Sequence, residues 1–147
     1  MSKAIQVSGS IAFDTILQFQ GNFKENLVYD SNTALSLSFF CPGMKKEFGG
    51  CAANIAYNLR LLGQECILLG SVGSDGKDYL KKINKSGVNT DFCEIKDGLF
   101  TAQAIITTDE KGNQLTSFHP GAMGSAGRFG ISNVITSFGI VSPNSYN

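Results

Sequence analysis

Apolar and polar positions along the chain change period several times, and each change marks an element. Ala4 to Ser8 reads as a short first strand ended by Gly9. From Leu27 to Phe40 the chain is rich in strand formers, and Leu35, Leu37 and Phe39 alternate with Ser36 and Ser38. That period of two predicts a half-exposed strand, broken at Cys41-Pro42-Gly43. Gly49-Gly50 opens the clearest helix: Ala52, Ile55, Ala56, Leu59 and Leu62 recur at helical spacing, and Gly63 stands at the C-terminal cap. Cys66 to Gly70 is apolar without alternation, as in a parallel strand buried on both faces. Asp75 is placed to cap a second helix with Tyr79, Leu80 and Ile83 as its core stripe and Gly87 as its end.

Beyond Gly87, Val88 to Lys96 predicts a connection into another short strand. Thr101 to Thr108 and Gln114 to His119 are two strand-like runs joined by Asp109-Glu110-Lys111-Gly112-Asn113, a hairpin signal. Gly121 to Gly130 reads as glycine-rich loop, and Phe138 to Val141 as a last strand. Strands alternating with helices give an α/β class with an inserted β layer. No repeat, low-complexity tract or linker divides the chain. It stops six residues after that last strand. A sheet usually gains a covering helix at such a point, so the expectation is a truncated unit with apolar sheet surface left open.

Composition narrows the function classes. Of 147 residues, 42% are hydrophobic and 16% charged, enough apolar material for a core. Twelve Lys and Arg balance twelve Asp and Glu, with no basic face to suit a polymeric nucleic acid. The four cysteines form no CxxC pair and there is one histidine, so zinc-ligand spacing is absent and buried free thiols are expected. The N-terminus has no apolar stretch of a signal peptide and no run reaches membrane-spanning length, which points to the cytoplasm.

Few residues offer chemistry. Gly9 to Asp14 places an acidic residue shortly after a strand-ending glycine turn, where open α/β sheets bind ligands. A carboxylate there can accept two hydrogen bonds from a diol, or it can serve as a turn residue. Gly49-Gly50 at a helix start lets backbone approach a ligand with free N–H groups, and Asn54, one turn on, supplies a donor and an acceptor; a plain cap with Asn54 in solvent is the alternative. No GxGxxG and no GxxxxGK[ST] occurs, which excludes a P-loop and argues against a dinucleotide-binding oxidoreductase. The lone His119 sits at a strand end, without partners for a catalytic group.

Taken together the motifs resemble the ribokinase-like (PfkB-type) carbohydrate kinase family. Gly49-Gly50-Cys51-Ala52-Ala53-Asn54-Ile55-Ala56 through Leu61-Leu62-Gly63 is similar to its first signature, followed by Gly70-Ser71-Val72-Gly73-Ser74-Asp75-Gly76. Thr101 to Ala104 and Phe118 to Met123 resemble the adenosine and nucleoside kinase branch. The resemblance implies the N-terminal portion, over 1–147, of a three-layer α/β Rossmannoid domain. It also implies a small β-sheet lid, with strands near 15–48 and 99–120. It implies that Asp14, Gly49, Gly50 and Asn54 hold a sugar or nucleoside, and that the complete enzyme uses ATP and Mg²⁺. The family's Gly-Ala-Gly-Asp motif, with its general base, is absent from this sequence. No catalytic residue and no cofactor or metal site is therefore expected in this chain alone. Two functions follow: the substrate-binding half of a sugar or nucleoside kinase, inactive by itself, or a non-catalytic binding module that associates through its lid, including as a homodimer.

Overall fold

The apolar run that begins at Cys66 forms the middle of a parallel sheet. A computed structural model of the chain describes residues 4–26, 37–125 and 139–141. Strand β1 (Ile5–Ser8) lies between β4 (Cys66–Gly73) and β8 (Gly139–Val141), and β5 (Cys93–Lys96) flanks β4 on the outside. All three pairings are parallel. Val7, Leu68 and Val72 are fully buried. Helix α2 (Cys51–Leu61) lays Ala52, Ala53 and Ala56 on this core, with Ile55 and Leu59 packed at its margin. Helix α3 (Lys77–Lys85) contributes Tyr79, Leu80 and Ile83, the stripe its spacing predicts. The open apolar face expected of the sheet is not seen at its central strand. Leu69, whose side chain alternates with that of Leu68, is also buried, and Ser71 Oγ donates to the Ala122 carbonyl at 2.8 Å.

A second, mixed sheet has the order β3-β2-β6-β7: β3 (Gly43–Gly49), β2 (Ala12–Gln18), β6 (Ala102–Thr108) and β7 (Gln114–His119). Strand β2 is antiparallel to β3 and parallel to β6, and β6 and β7 form the predicted hairpin. The predicted strand at Leu35, Leu37 and Phe39 needs correcting. Residues 27–36 lie outside the described residues, and Leu37 to Phe40 are not strand. The strand starts instead at Gly43, the last residue of the break assigned to Cys41-Pro42-Gly43. Its charged run Lys45-Lys46-Glu47 hides the pattern, yet such side chains suit an edge strand wetted on both sides. Strand β2 likewise has no alternation to mark it and is expected only through the lid strands near 15–48 that the resemblance implies.

The two sheets meet through short junctions. Gly50 takes φ +93°, and a β-carbon there would lie 2.5 Å from the Ser10 carbonyl oxygen, so only glycine lets β3 turn into α2 this close to the β1–β2 link. Asp75 does not cap α3. Its carboxylate accepts from the Thr101 N–H and hydroxyl, both at 2.7 Å, tying the turn Ser74–Gly76 to the start of β6. At the far end of the second sheet, Phe23 of the short helix α1 (Phe23–Asn26) stacks on Phe19 and meets Phe39 edge-on. Its N–H donates to Asp109 in the β6–β7 turn. Burial alone would raise the Asp109 carboxyl. The side chain of Asn113 and the backbone N–H groups of Phe23, Asn113 and Lys111 outweigh it and hold the group down to about 2. Of the cysteines, all free, Cys66 is buried but Cys51 is exposed, against the expectation of buried thiols.

Candidate functional site

Strand register sets which side chains share a face with Asp14. Its ladder partners are Glu47 on β3 and Ala104 on β6, and Ala104 in turn faces Phe118 on β7. Residues directly opposite in a ladder project to the same side. Glu47, Asp14, Ala104 and Phe118 thus form one row across the second sheet. Asp14 is half-buried, and that burial raises its carboxyl above the ordinary value of 3.8. Its neighbour in the row behaves oppositely: the Lys45 ammonium, bonded to Glu47, holds the Glu47 carboxyl low.

Gly49 lies under Asp14. A β-carbon on Gly49 would overlap Asp14 Oδ2, so the glycine is what lets the carboxylate occupy its place. The Gly49 carbonyl is held from the other side by the Tyr79 hydroxyl, which donates to it at 2.6 Å. The Tyr79 ring packs against Phe13 and Phe48, with centroids 5.8 and 4.6 Å away. Burial, with the Asp14 charge adding to it, pushes the Tyr79 hydroxyl well above the ordinary range. Tyr79 thus remains a neutral donor. From sequence it reads as a core residue only; its contact with Gly49 spans 30 residues and has no local signal.

The helix start that Gly50 opens is not free. Ser10 caps α2 from outside the helix: Cys51 N–H donates to its Oγ at 2.8 Å, and Ala52 and Ala53 N–H to its carbonyl at 3.2 and 3.4 Å. The open N–H groups expected at Gly49-Gly50 are therefore committed to Ser10. What Gly50 contributes is the close approach of β3, β2 and α2. Asn54 is exposed on the first turn of α2, and its own N–H bonds the Gly50 carbonyl at 3.0 Å. The chain thus brings Asp14, Gly49 and Gly50 together, with Asn54 one turn further on. His119 is exposed at the end of β7, paired with Gln103. Two cavities, of about 310 Å³ beside Arg60, Cys66 and Asn89 and about 250 Å³ beside Phe13, Phe48 and Tyr79, do not include Asp14 or Asn54. Of the Asp14 row, Glu47 lines the second cavity, Asp14 and Ala104 are half-buried, and Phe118 is exposed.

This arrangement of a parallel sheet, a glycine-opened helix and a small second sheet coincides with a known family. The model of the pfkB family carbohydrate kinases matches residues 23–128. The chain belongs to the pfkB family. Within it, the chain is 38% identical over 92 residues to the pseudouridine kinase of Escherichia coli (strain K12), covering 60% of this chain and 29% of that protein. It is 33% identical over 95 residues to the nucleoside kinase of Methanocaldococcus jannaschii, covering 63% and 30%. The solved nucleoside kinase of Burkholderia thailandensis in complex with inosine superposes with a TM-score of 0.81 at 38% identity, over 97% of this chain and 45% of that one. The solved M. jannaschii nucleoside kinase, a member of the ribokinase family, gives 0.68 at 30% identity, over 83% and 39%. The fold is thus the ribokinase-like α/β one, and the chain spans about 30% of the length of these curated relatives. Among the described residues no helix is long and apolar enough to cross a membrane.

Proposed function

We propose that this pfkB-family chain forms the substrate-binding part of an ATP-dependent kinase that phosphorylates a hydroxymethyl group of a nucleoside or sugar. The observation that carries the reading is the Asp14 carboxylate, partly desolvated and seated over Gly49 where only glycine leaves room. An ionised carboxylate has acceptor sites for both hydroxyls of a vicinal diol. Partial desolvation strengthens those bonds relative to a fully wetted acid. Tyr79 keeps Gly49 fixed, and Ser10 keeps α2 fixed, so Asp14 and Asn54 hold a set spacing before a ligand arrives. In this reading Gly49 and Gly50 admit the sugar close to backbone and Asn54 adds a donor or acceptor. The second sheet acts as a lid that excludes water from the sugar.

ATP and Mg²⁺ belong to the complete enzyme in this reading. Among the described residues no three His, Cys, Asp or Glu gather to share a metal ion. Positioning and charge stabilisation carry phosphoryl transfer. The contribution proposed for this chain is therefore holding and orienting the acceptor. Replacing Asp14 by Ala weakens sugar or nucleoside binding by roughly 1–3 kcal/mol if the diol bonds it. Calorimetric affinity unchanged in that variant rejects the assignment.

A second reading, self-association through the lid, rests on the other face of the same sheet. Met44, Leu17, Thr107 and Leu115 lie in one row there, with Met44 and Leu115 exposed. Sedimentation at rising concentration, with Met44→Lys as the disrupting variant, tests a homodimer formed by that row.

A further inference from the structure

The larger of the two cavities, of about 310 Å³, opens at the amino ends of β1 and β4, beside Ala4 and Glu65. Asp14 stands beyond the carboxyl end of β1, so the cavity is at the opposite end of the parallel sheet. Helix α2 runs between the two regions: it opens next to Gly50, and Arg60 in its last turn lines the cavity. The half-buried guanidinium of Arg60 is held from two directions. Its Nη1 donates to the Gln64 carbonyl at 2.9 Å. Gly87, at φ +93°, leaves it room on the other side, since a β-carbon there would stand 2.9 Å from both Nε and Nη2. Nε is closed off from solvent and has no partner among the described residues.

A cation withdrawn from water is costly unless a counter-charge accompanies it. Arg60 takes part in none of the ion pairs among the described residues, although Glu65 lines the same cavity. Asn89 lines it as well. Its Oδ1 accepts from the Asp91 N–H at 2.8 Å, which leaves Nδ2 as the end of the amide free to donate. A charged donor and a neutral one thus border a space that Ala4 and Ile67 bound with hydrocarbon. We propose that this cavity is a second binding site, for a short-chain monocarboxylate. The carboxylate bonds the Arg60 guanidinium and Asn89 Nδ2, and the alkyl tail lies on Ala4 and Ile67. The planar guanidinium suits a planar carboxylate. The cavity volume is at the lower end of the range of roughly 300–1,000 Å³ seen for small-molecule sites, which restricts the tail to a few carbons. Glu65 limits the charge: its carboxylate beside the cavity repels a dianion more than a monoanion, which disfavours inorganic phosphate. The site shares no residue with the Asp14 region and stands independently of the reading given to that carboxylate.

The test follows the 147-residue chain by ¹H–¹⁵N NMR while butyrate, acetate or inorganic phosphate is added at constant ionic strength. The reporters are the Arg60 Nε–H, one of only two arginine signals the sequence can give, and the Asn89 side-chain amide. The expected result is a saturable shift of both with butyrate, a weaker response to acetate, which lacks the tail, and the weakest to phosphate. Arg60→Gln, followed at Asn89, loses roughly 10- to 150-fold in butyrate affinity, the worth of a charge-assisted hydrogen bond. Glu65→Gln gains about two- to fivefold, the scale of one exposed charge. Shifts that rise linearly with all three anions overturn the proposal, as does equal butyrate affinity in Arg60→Gln and the unmodified chain. Phosphate binding as tightly as butyrate overturns the ligand class. If Arg60→Gln does not fold, Glu65→Gln decides in its place, because Glu65 is exposed and its replacement leaves the core untouched: no gain in butyrate affinity there rejects the site.

Discussion

The two sheets differ in strand length and in surroundings: β1, β5 and β8 of the parallel sheet have only three or four residues, and every strand of the mixed sheet has six or seven. In the parallel sheet, β4 is buried along almost its whole length. In the mixed sheet, β7 is exposed at every position and β3 at most. The first sheet is held by apolar packing against α2 and α3. The second is anchored at the end nearest the core by Ala12, Phe13 and Ala102, and at its far end by the Asp109 turn and the Phe19–Phe23–Phe39 cluster. Stability is therefore concentrated in one sheet, while Asp14 and Gly49, proposed for ligand binding, lie in the other, with Gly50 and Asn54 beside them at the start of α2. A sheet meant to cover a ligand cannot bury that face permanently, and its exposure follows from the role proposed for it.

Substitutions can break this contrast at its joint first. Gly50→Ala forces a side chain into φ +93° and onto the Ser10 backbone. The strain alone is on the order of 1–3 kcal/mol, and the overlap adds to it. Cooperative thermal unfolding should be lost or fall steeply. Next comes the contrast itself. Leu68→Ala removes a fully buried side chain of β4 and should cost about 2–5 kcal/mol in urea unfolding. Leu115→Ala on β7, 41% exposed, should change stability by no more than about 0.5 kcal/mol. Equal costs would mean that the second sheet is packed as tightly as the first.

Smaller effects separate the two acids of the second sheet. The folded Asp109 carboxyl is held at about 2, below its ordinary 3.8, so its contribution is present above pH 4 and is lost as pH falls from about 4 toward 2. Asp109→Asn should flatten that acid limb of the melting profile and lower Tm by several degrees at neutral pH. Asp14 has the opposite sign. Its folded carboxyl is raised, so ionising it as pH climbs past that raised value works against the folded state. Asp14→Asn should leave Tm at neutral pH unchanged or slightly higher while weakening ligand binding. A residue kept for stability would show the reverse.

The sequence made some of this visible and concealed the rest for physical reasons. Helix α2 was legible because Gly49-Gly50 and the Ala52–Leu59 spacing act locally, and β4 because an unbroken apolar run suits only a doubly covered strand. The β6–β7 hairpin carried its own turn signal in Asp109 to Asn113. Residue pattern alone does not reveal β3, a wetted and charged edge strand, or β2, whose Ala12-Phe13 and Ile16-Leu17 pairs break the alternation; only the resemblance implies lid strands near 15–48. Asp14, Gly49, Gly50 and Asn54 could be named from the chain. Ser10 at the start of α2, Asp75 on Thr101 and Tyr79 on Gly49 could not, since these bonds join residues 41, 26 and 30 positions apart. The Phe118 row became readable only once the register of three strand pairs was known.

The central claim is that Asp14 grips a sugar diol on the exposed sheet. Its most direct test is a calorimetric comparison of adenosine with 2′,3′-dideoxyadenosine, on the unmodified chain and on Asp14→Asn. The account predicts that the unmodified chain binds adenosine well and its dideoxy analogue poorly, and that Asp14→Asn binds both equally weakly, because one interaction cannot be removed twice. Undiminished discrimination between the two nucleosides in Asp14→Asn would contradict it and place the diol on other residues.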